Sequence, residues 1–303
     1  MKKLKVLFAA VPIMIICVIV LSVYFTSSSF ASVGAEFREN VINKEVPEFD
    51  QVEFEKYKTE VAKKDFWFTA PSDFTKNSLS RDDSKRLFVS KINSHDTPDE
   101  WKAMSVPERV AVSQIPDDIL KSLPTEDLVM YCMNVNMMGD MYAFNNLKEG
   151  FERLVFRYNS LQELQNKKNS GSELLRLYKA LDLYELSEND RFSTIRLSFL
   201  EMVLAQDHVL ETLTEKEYNE LVIECFNKAK QIDDKFSGHF STSTTVYLGI
   251  KCLYKHDNNF VKIVNSSEGV ANFIETSRLN LNDIDDEILG KIVVYFQNKY
   301  LEG

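Results

Sequence analysis

The stretch VPERVAVSQIPDDILKSLPTEDLVMYC, residues 106–132, carries Pro107, Pro116 and Pro124 among apolar residues that are spaced for helices. Proline suits the first turn of a helix, because its missing N–H would have no partner there and its fixed φ is already helical. The residue before a proline is biased away from the α conformation, so Pro116 and Pro124 also end the helices before them. The stretch therefore predicts three short helices that follow one another with almost no loop.

The residues around these prolines supply the expected helix caps. Ser105 and Glu108 have the spacing of a capping box, in which each side chain accepts a hydrogen bond from the other residue's backbone N–H. Thr125 is predicted to cap the third helix. Helices of one or two turns are unstable alone, so they must press apolar residues into a shared interior: Val110, Ile119, Leu123, Leu128 and Cys132.

Apolar residues spaced by three and four continue through most of the remaining chain. The predicted helical stripes cover 147–164, 172–181, 187–205, 215–226, 268–277 and 283–300, with a break at 169–171 and a second capping box at Thr214 and Glu217. A loop rich in Gly, Ser and Thr is predicted at 233–243, before β-branched and aromatic residues. The sequence thus predicts a mainly α fold, a compact multi-helix orthogonal bundle or a helical-repeat-like stack, and admits a small hairpin near residues 244–264.

Composition and charge agree with a helical body that avoids polyanions. Gly and Pro supply only 9 and 7 of the 303 residues, so tight turns are scarce. The formal charge of the chain is −10, and residues 1–35 contain three lysines and no acid, so the remaining residues carry −13. No basic stripe interrupts this acidic surface, which excludes nucleic acid as the expected partner.

Residues 6–25, VLFAAVPIMIICVIVLSVYF, form an uncharged apolar run that directly follows the three lysines. A run of this length spans a bilayer as a helix, and its positive end stays in the cytosol. Ser29 and Ala31 also offer a signal-peptidase site, so the segment is predicted to be either a signal peptide or an N-terminal membrane anchor. In both cases we expect the rest of the chain to be extracytoplasmic, secreted or anchored to the cytoplasmic membrane.

The predicted organisation has three parts: the leader or anchor at 1–35, a stalk helix with an irregular connector at 36–101, and a helical domain at 102–303. The stalk is a weak amphipathic helix, and the connector is rich in Ser, Asp and Asn. We expect five residues of the connector to dock on the main body: Phe66, Trp67, Phe68, Leu87 and Phe88. An exposed aromatic platform for glycan or membrane is the alternative.

Three cysteines lie beyond the leader, which contains Cys17. Cys132, Cys225 and Cys252 are an odd number, are widely spaced and form no CxxC pair, so they do not indicate a disulfide framework. We predict that they are small buried hydrophobic side chains. A bridge between Cys225 and Cys252, or a reactive thiol, remains the alternative.

One block of the chain resembles a known family. The runs LPTEDLVMYCMN and GDMYAFNNLKEGFERLVFRYNSLQELQNKKNSGSELL, within residues 123–175, are similar to a recurrent block of an uncharacterised family of exported, mainly helical proteins of Gram-positive bacteria. The resemblance implies export and a helical body. It implies no activity and no catalytic residue.

Several catalytic and metal-binding motifs are excluded by spacing. The nine glycines are never closer than eleven residues, which rules out GxGxxG, the P-loop and GxSxG. The histidines at 95, 208, 239 and 256 are too far apart for HExxH, and no Ser or Thr precedes a Lys by three residues, as SxxK requires. The acidic run near Asp283 has Ile288 where a calcium loop needs glycine. We therefore predict no cofactor and no metal.

Two weak catalytic candidates remain. His239 lies in SGHFSTSTT beside several hydroxyl groups, where a nucleophile–base pair would form if an acid oriented the ring. The adjacent carboxylates Asp117/Asp118 and Glu126/Asp127 would suit acid–base hydrolysis of a glycosidic bond. Local hydrogen bonding of the Ser/Thr cluster and helix-start electrostatics explain these residues more simply.

The sequence therefore favours an exported or membrane-anchored helical module without enzymatic activity, which binds an unidentified protein or ligand at the bacterial cell envelope. The alternative is a cell-envelope hydrolase that uses His239 or a carboxylate pair. The membrane itself is a partner through residues 6–25 if the leader is retained.

Overall fold

A computed structural model describes residues 52, 103–115, 117–133, 135, 138–185, 191–236, 243–278 and 286–301. No strand occurs among them, and the mainly α, multi-helix fold predicted from the sequence is confirmed. The α-helices are α1 Val106–Val112, α2 Asp117–Ser122, α3 Thr125–Cys132, α4 Leu147–Arg157, α5 Asn159–Asn166, α6 Ser170–Ala180, α7 Arg191–Leu204, α8 Asp207–Leu210, α9 Glu215–Phe236, α10 Ser243–His256, α11 Asn258–Val264, α12 Glu268–Thr276 and α13 Asp286–Phe296. Shorter helical turns cover Met138–Ala143, Leu183–Glu185 and Gln297–Leu301, the last of them a π-helical turn.

The proline-rich stretch folds as three consecutive short helices. The capping box at α1 is present: Ser105 N donates to Glu108 Oε2 at 2.7 Å, and Glu108 N donates to Ser105 Oγ at 3.4 Å. The cap predicted at Thr125 is wrong, because Pro124 occupies the N-cap of α3. The Thr125 hydroxyl instead donates to Asn169 Oδ1 at 2.5 Å, where it joins α3 to the loop before α6.

A reciprocal pair of amide side chains fixes these helices to the next pair. The Asn159 side chain accepts from Ile115 N at 3.1 Å and donates to Ile115 O at 2.7 Å. In return, Gln114 Oε1 accepts from Asn159 N at 3.0 Å, and Gln114 Nε2 donates to Arg157 O at 3.0 Å. The corner between α1 and α2 and the corner between α4 and α5 thereby satisfy each other's free backbone groups. Buried backbone groups at the ends of helices need such partners.

Replacing Asn159 by alanine should lower the free energy of unfolding by about 2 kcal/mol, because it leaves both backbone groups of the buried Ile115 without partners. Chemical denaturation of the full chain measures the effect. Gln162→Ala on the same helix is the control, since the Gln162 side chain bonds only exposed carbonyl groups of α4. Equal losses for the two variants would contradict the proposed role of the amide pair.

The central part of the body is formed by α6, α7, α9 and α10. Their inward residues are completely buried, as Leu177, Leu200, Leu221 and Leu248 illustrate. Aromatic pairs extend this core outward: Phe151 of α4 contacts Phe199 of α7 at 5.6 Å, and Tyr247 of α10 contacts Phe273 of α12 at 5.7 Å between ring centroids. One continuous apolar core therefore connects α1 to α12.

The small hairpin considered near residues 244–264 is wrong, because this part of the chain forms α10 and α11. The β-branched Thr244 and Thr245 are accepted at the start of α10, since both hydroxyls donate to a buried carboxyl group. Tyr247, Leu248 and Cys252 bury the inward face of the same helix. Tertiary burial thus outweighs the local β-propensity.

Two smaller boundary predictions also change. The loop predicted at 233–243 begins inside α9, which continues to Phe236. The break predicted at 169–171 comes slightly earlier, since α6 begins at Ser170 and includes Gly171 in its first turn. Gly171 belongs there because its N–H donates to Thr212 Oγ1 at 2.8 Å, and a Cβ at this position would clash with Val209 O.

None of the described helices combines the length and the apolar character that crossing a bilayer requires. The predicted leader at 6–25 lies outside the described residues. The stalk and connector at 36–101 also lie outside the described residues, apart from Val52. The docking predicted for the connector therefore stays a prediction.

Candidate functional site

Of the sequence-predicted catalytic residues, the structure describes the side chains of Asp117, Glu126 and Asp127, which lie on two separate helices. His239 lies in the gap between 236 and 243, outside the described residues. The acidic run near Asp283 is described only from Asp286 onward, where it begins α13. Glu126 and Asp127 lie in the first turn of α3, where Glu126 forms an ion pair with Arg176 at 3.4 Å. Asp117 begins α2 as an exposed residue. The described members of the two predicted carboxylate pairs therefore lie at helix starts, where they interact favourably with the positive end of the helix dipole.

The two described histidines, His208 and His256, belong to no group of side chains that could hold a metal ion. His256, at the end of α10, stacks on Tyr218 with 4.7 Å between ring centroids, and its burial lowers its pKa. His208 belongs to the four-residue helix α8. In the described ranges, no group of three or more His, Cys, Asp or Glu side chains is arranged to hold a metal ion.

Cys132, Cys225 and Cys252 are buried free thiols, which confirms the prediction that they act as small hydrophobic side chains. The alternative bridge between Cys225 and Cys252 is wrong. Burial raises the pKa of Cys132 to about 12, and it also raises the pKa of Cys225 and of Cys252. Because the thiolate is the reactive form, these three groups are chemically inert in the folded protein.

Alkylation provides a direct check of this assignment. Iodoacetamide at about pH 8 should modify none of the three thiols in the folded chain and all of them after denaturation. Peptide mass spectrometry identifies each site separately, so modification of Cys17 does not enter the comparison. Modification of any of the three in the folded protein would contradict the buried, protonated assignment.

The most unusual chemical environment in the described structure surrounds Glu201, in the last turn of α7. Its side chain is completely buried and accepts three hydrogen bonds from hydroxyl groups. Tyr178 of α6 donates at 2.8 Å, Thr245 of α10 at 2.6 Å and Thr244 of α10 at 2.5 Å. Thr244 also lies 3.2 Å from the Ser198 hydroxyl on the preceding turn of α7. We refer to Glu201, Tyr178, Thr244, Thr245 and Ser198 as the Glu201 cluster.

Burial dominates the electrostatics of this cluster. It raises the pKa of Glu201 to about 7, although the Thr244, Thr245 and Tyr178 hydroxyls and the charge of Lys228 act in the opposite direction. The pKa of Tyr178 is also raised, by burial first and then by the neighbouring Glu201. A carboxyl group in this situation exchanges a proton near neutral pH, which is the property that buried acids have in many functional sites.

Lys228 of α9 lies beside the cluster with its own partners. Its ammonium donates to Glu224 Oε1 at 2.5 Å and to Leu181 O at 2.5 Å, and it lies 5.4 Å from the centroid of the Tyr178 ring. Leu181 is the C-cap of α6, so the cation binds a carbonyl at the negative end of that helix. Only 1% of the Lys228 side chain is exposed, against 16% for Glu224.

A second polar cluster, the Asp257 clamp, holds the C-terminal helix. Asp257 caps α11 by accepting from Asn259 N at 2.9 Å and Phe260 N at 3.3 Å. The same carboxylate accepts from the Tyr295 hydroxyl and the Lys299 ammonium, which come from α13 and the following turn. Burial acts to raise the pKa of Asp257, but these hydrogen bonds lower it to about 2. Asp257 therefore stays ionised, and the clamp attaches α13 and the turn after it to the start of α11.

The Glu201 cluster was missed by the sequence analysis, although the sequence carries a signal for it. Glu201 is the one charged residue in LSFLEMVLAQ, residues 197–206. A lone carboxyl group in an apolar run of a helix is a buried, hydrogen-bonded group when the whole helix is enclosed. The apolar spacing predicts an inward face for this helix, but it does not predict which side chains contact the acid.

Comparison of the chain with protein-family models, with curated proteins and with solved structures gives no match. The function of the chain is therefore inferred from its own residues and contacts.

Proposed function

We propose that the chain is an exported or membrane-anchored helical module that binds a protein or ligand of the bacterial cell envelope through its surface. The apolar run at 6–25 after three lysines supports the extracytoplasmic location. The acidic balance of the remaining residues supports a partner other than nucleic acid.

The observation that carries this proposal is that the most chemically distinctive groups of the described body are enclosed: Glu201, Asp257 and the three thiols. Glu201 is completely buried and accepts hydrogen bonds from three hydroxyl groups. The Asp257 carboxylate accepts hydrogen bonds from four residues. The three thiols are buried as well. A general acid, base or nucleophile must reach its substrate. Groups held in this way favour a role in building the body, which leaves recognition to the surface.

The surface offers positions from which a partner can be captured. Phe156 on α4 is 63% exposed, and Tyr184 in the turn after α6 is 47% exposed. Single exposed apolar residues are common and do not define an interface. Phe156 and Tyr184 are suitable crosslinking positions, because an aromatic photo-crosslinking amino acid replaces either ring with little change in shape.

The test is photo-crosslinking in cells with p-benzoylphenylalanine at position 156 or 184 of the full chain. A binding module should give a discrete adduct with one envelope component from at least one of these positions. Lys216, whose side chain is 87% exposed on α9, is the control position for random collision. The same adducts at all three positions, or none at any, would contradict the proposal.

The alternative function is a cell-envelope hydrolase that uses His239 or a carboxylate pair. His239→Ala in the full chain distinguishes the two. Retention of the adduct and of the cellular phenotype supports recognition, whereas a loss of envelope hydrolysis with the fold intact would establish the hydrolase.

A further inference from the structure

We propose that Glu201 is a proton-linked lock on the helix packing: its protonated form holds α10 against α6 and α7, and release of the proton loosens the start of α10. This inference is independent of the proposed envelope function, since it rests on the interior of the helical body.

The surroundings of Glu201 favour its uncharged form. The neighbours that bond Glu201 directly are neutral hydroxyl groups of Tyr178, Thr244 and Thr245. Lys228, the cation that faces the cluster from α9, is bound to Glu224 and to the Leu181 carbonyl. A carboxylate in a dry interior without a bonded cation is penalised strongly, so the neutral acid is the form that the packing favours.

The hydroxyl groups around Glu201 can form hydrogen bonds with both its acid form and its carboxylate form. A protonated carboxyl group needs an acceptor, and hydroxyl groups serve as donors or acceptors by rotation. Thr244 Oγ1 lies 2.5 Å from Glu201 Oε2 and 3.2 Å from Ser198 Oγ. In the carboxylate form Thr244 donates to Glu201. In the acid form Glu201 donates to Thr244, and Thr244 turns its own proton to Ser198, so the row of hydroxyls satisfies both protonation states.

The groups that face Glu201 come from each of the elements around it. Tyr178 belongs to α6, Cys225 and Lys228 to α9, and Tyr142 to the turn at Met138–Ala143. Burial raises the pKa of Tyr142, Tyr178 and Cys225, so these neighbours stay neutral while Glu201 titrates. α10 bonds the carboxyl group through Thr244 and Thr245, both in its first turn, so this turn is the part of α10 on which ionisation of Glu201 acts.

The sign of the pH effect follows from linkage. The pKa of Glu201 is about 7 in the folded state, against 4.5 for the free group, so the folded state holds a proton that the unfolded state releases. Its contribution to stability is complete below pH 4.5 and is lost as the pH rises through about 7. Between about pH 5 and 8 this one group should raise the unfolding equilibrium constant on the order of 100-fold.

The experiment is denaturant unfolding of the full chain in mild detergent across this pH range, for the wild type, Glu201→Gln and the exposed control Glu220→Gln. The proposal predicts that E201Q removes the roughly 100-fold change and that E220Q keeps it. An E201Q chain with the pH dependence of the wild type would overturn the proposal.

Two further measurements keep the proposal testable if E201Q does not fold. In the wild type, amide hydrogen exchange at residues 244–248, corrected for the intrinsic rate, should accelerate as the pH rises past about 7, with no such change in α12. Ser198→Ala removes the acceptor of the acid form and should shift the midpoint of this acceleration to lower pH. Exchange that is independent of pH, or a midpoint that S198A leaves unchanged, would overturn the proposed proton-linked row.

Discussion

Replacing Gly150 by alanine should destabilise the protein by about 3 kcal/mol or more, or prevent folding altogether. Gly150 lies in α4, where alanine would normally be favoured over glycine by about 1 kcal/mol. Here a Cβ would lie 2.0 Å from Met141 O and 2.7 Å from Met141 C. Those atoms belong to the backbone of a buried helical turn, which cannot move aside as a flexible side chain does.

Gly290→Ala is the matched control for this change. Gly290 lies within α13 and is exposed, and beyond its own helix backbone nothing lies within 4 Å of the position that a Cβ would occupy. The same substitution there should raise the free energy of unfolding by about 0.5–1 kcal/mol, because alanine restricts the unfolded chain and favours the helix. Opposite signs at the two positions, measured by denaturant unfolding, are the expected result. A neutral or stabilising effect of G150A would show that α4 does not approach the Met138–Ala143 turn as described.

Replacing Glu224 by alanine should cost about 3–5 kcal/mol, because it leaves the buried ammonium of Lys228 without a counter-charge. Removing the cation instead should cost less. In Lys228→Met the stem is replaced by a side chain of similar volume, and Glu224 reaches water through its exposed edge. The main loss is then the donor to the Leu181 carbonyl, about 1–2 kcal/mol.

Glu220→Ala is the control for the Glu224 prediction. Glu220 lies one turn earlier on the same helix and pairs with Lys179 at 2.6 Å and Lys216 at 3.6 Å, but this network is open to solvent, since the three side chains are 32%, 46% and 87% exposed. An exposed network of this kind should contribute less than about 1 kcal/mol. Denaturant unfolding of the three variants should give the order E224A, then K228M, then E220A in decreasing loss. A larger effect of E220A than of E224A would contradict the assignment of a buried ion pair.

The sequence predicted the helical fold because its strongest signals are local. Pro107, Pro116 and Pro124 act on their own φ angles and on the residues beside them, so the starts of three helices were legible without tertiary information. The capping box at Thr214 and Glu217 is equally local, and it is present: Thr214 N donates to Glu217 Oε2 at 2.9 Å, and Glu217 N donates to Thr214 Oγ1 at 3.3 Å. In such cases the partners are three residues apart and their spacing is the evidence.

The sequence did not predict features whose partners are distant along the chain. Thr244 and Thr245 have β-propensity, and the carboxyl group that retains them in a helix lies 43 and 44 residues earlier. The amide pair of Gln114 and Asn159 spans 45 residues, and no local pattern distinguishes these residues from ordinary polar side chains. Gly150 was equally inconspicuous, because the need for glycine comes from the backbone of a neighbouring turn.

Crosslinking from positions 156 and 184 in cells that produce the His239→Ala chain tests the proposed recognition function most directly. The expected result is the same discrete adduct, in the same yield, as from the chain that retains His239, with no adduct from position 216. Absence of an adduct from both chains, together with loss of an envelope-hydrolysing activity in His239→Ala, would contradict a recognition module and establish catalysis in its place.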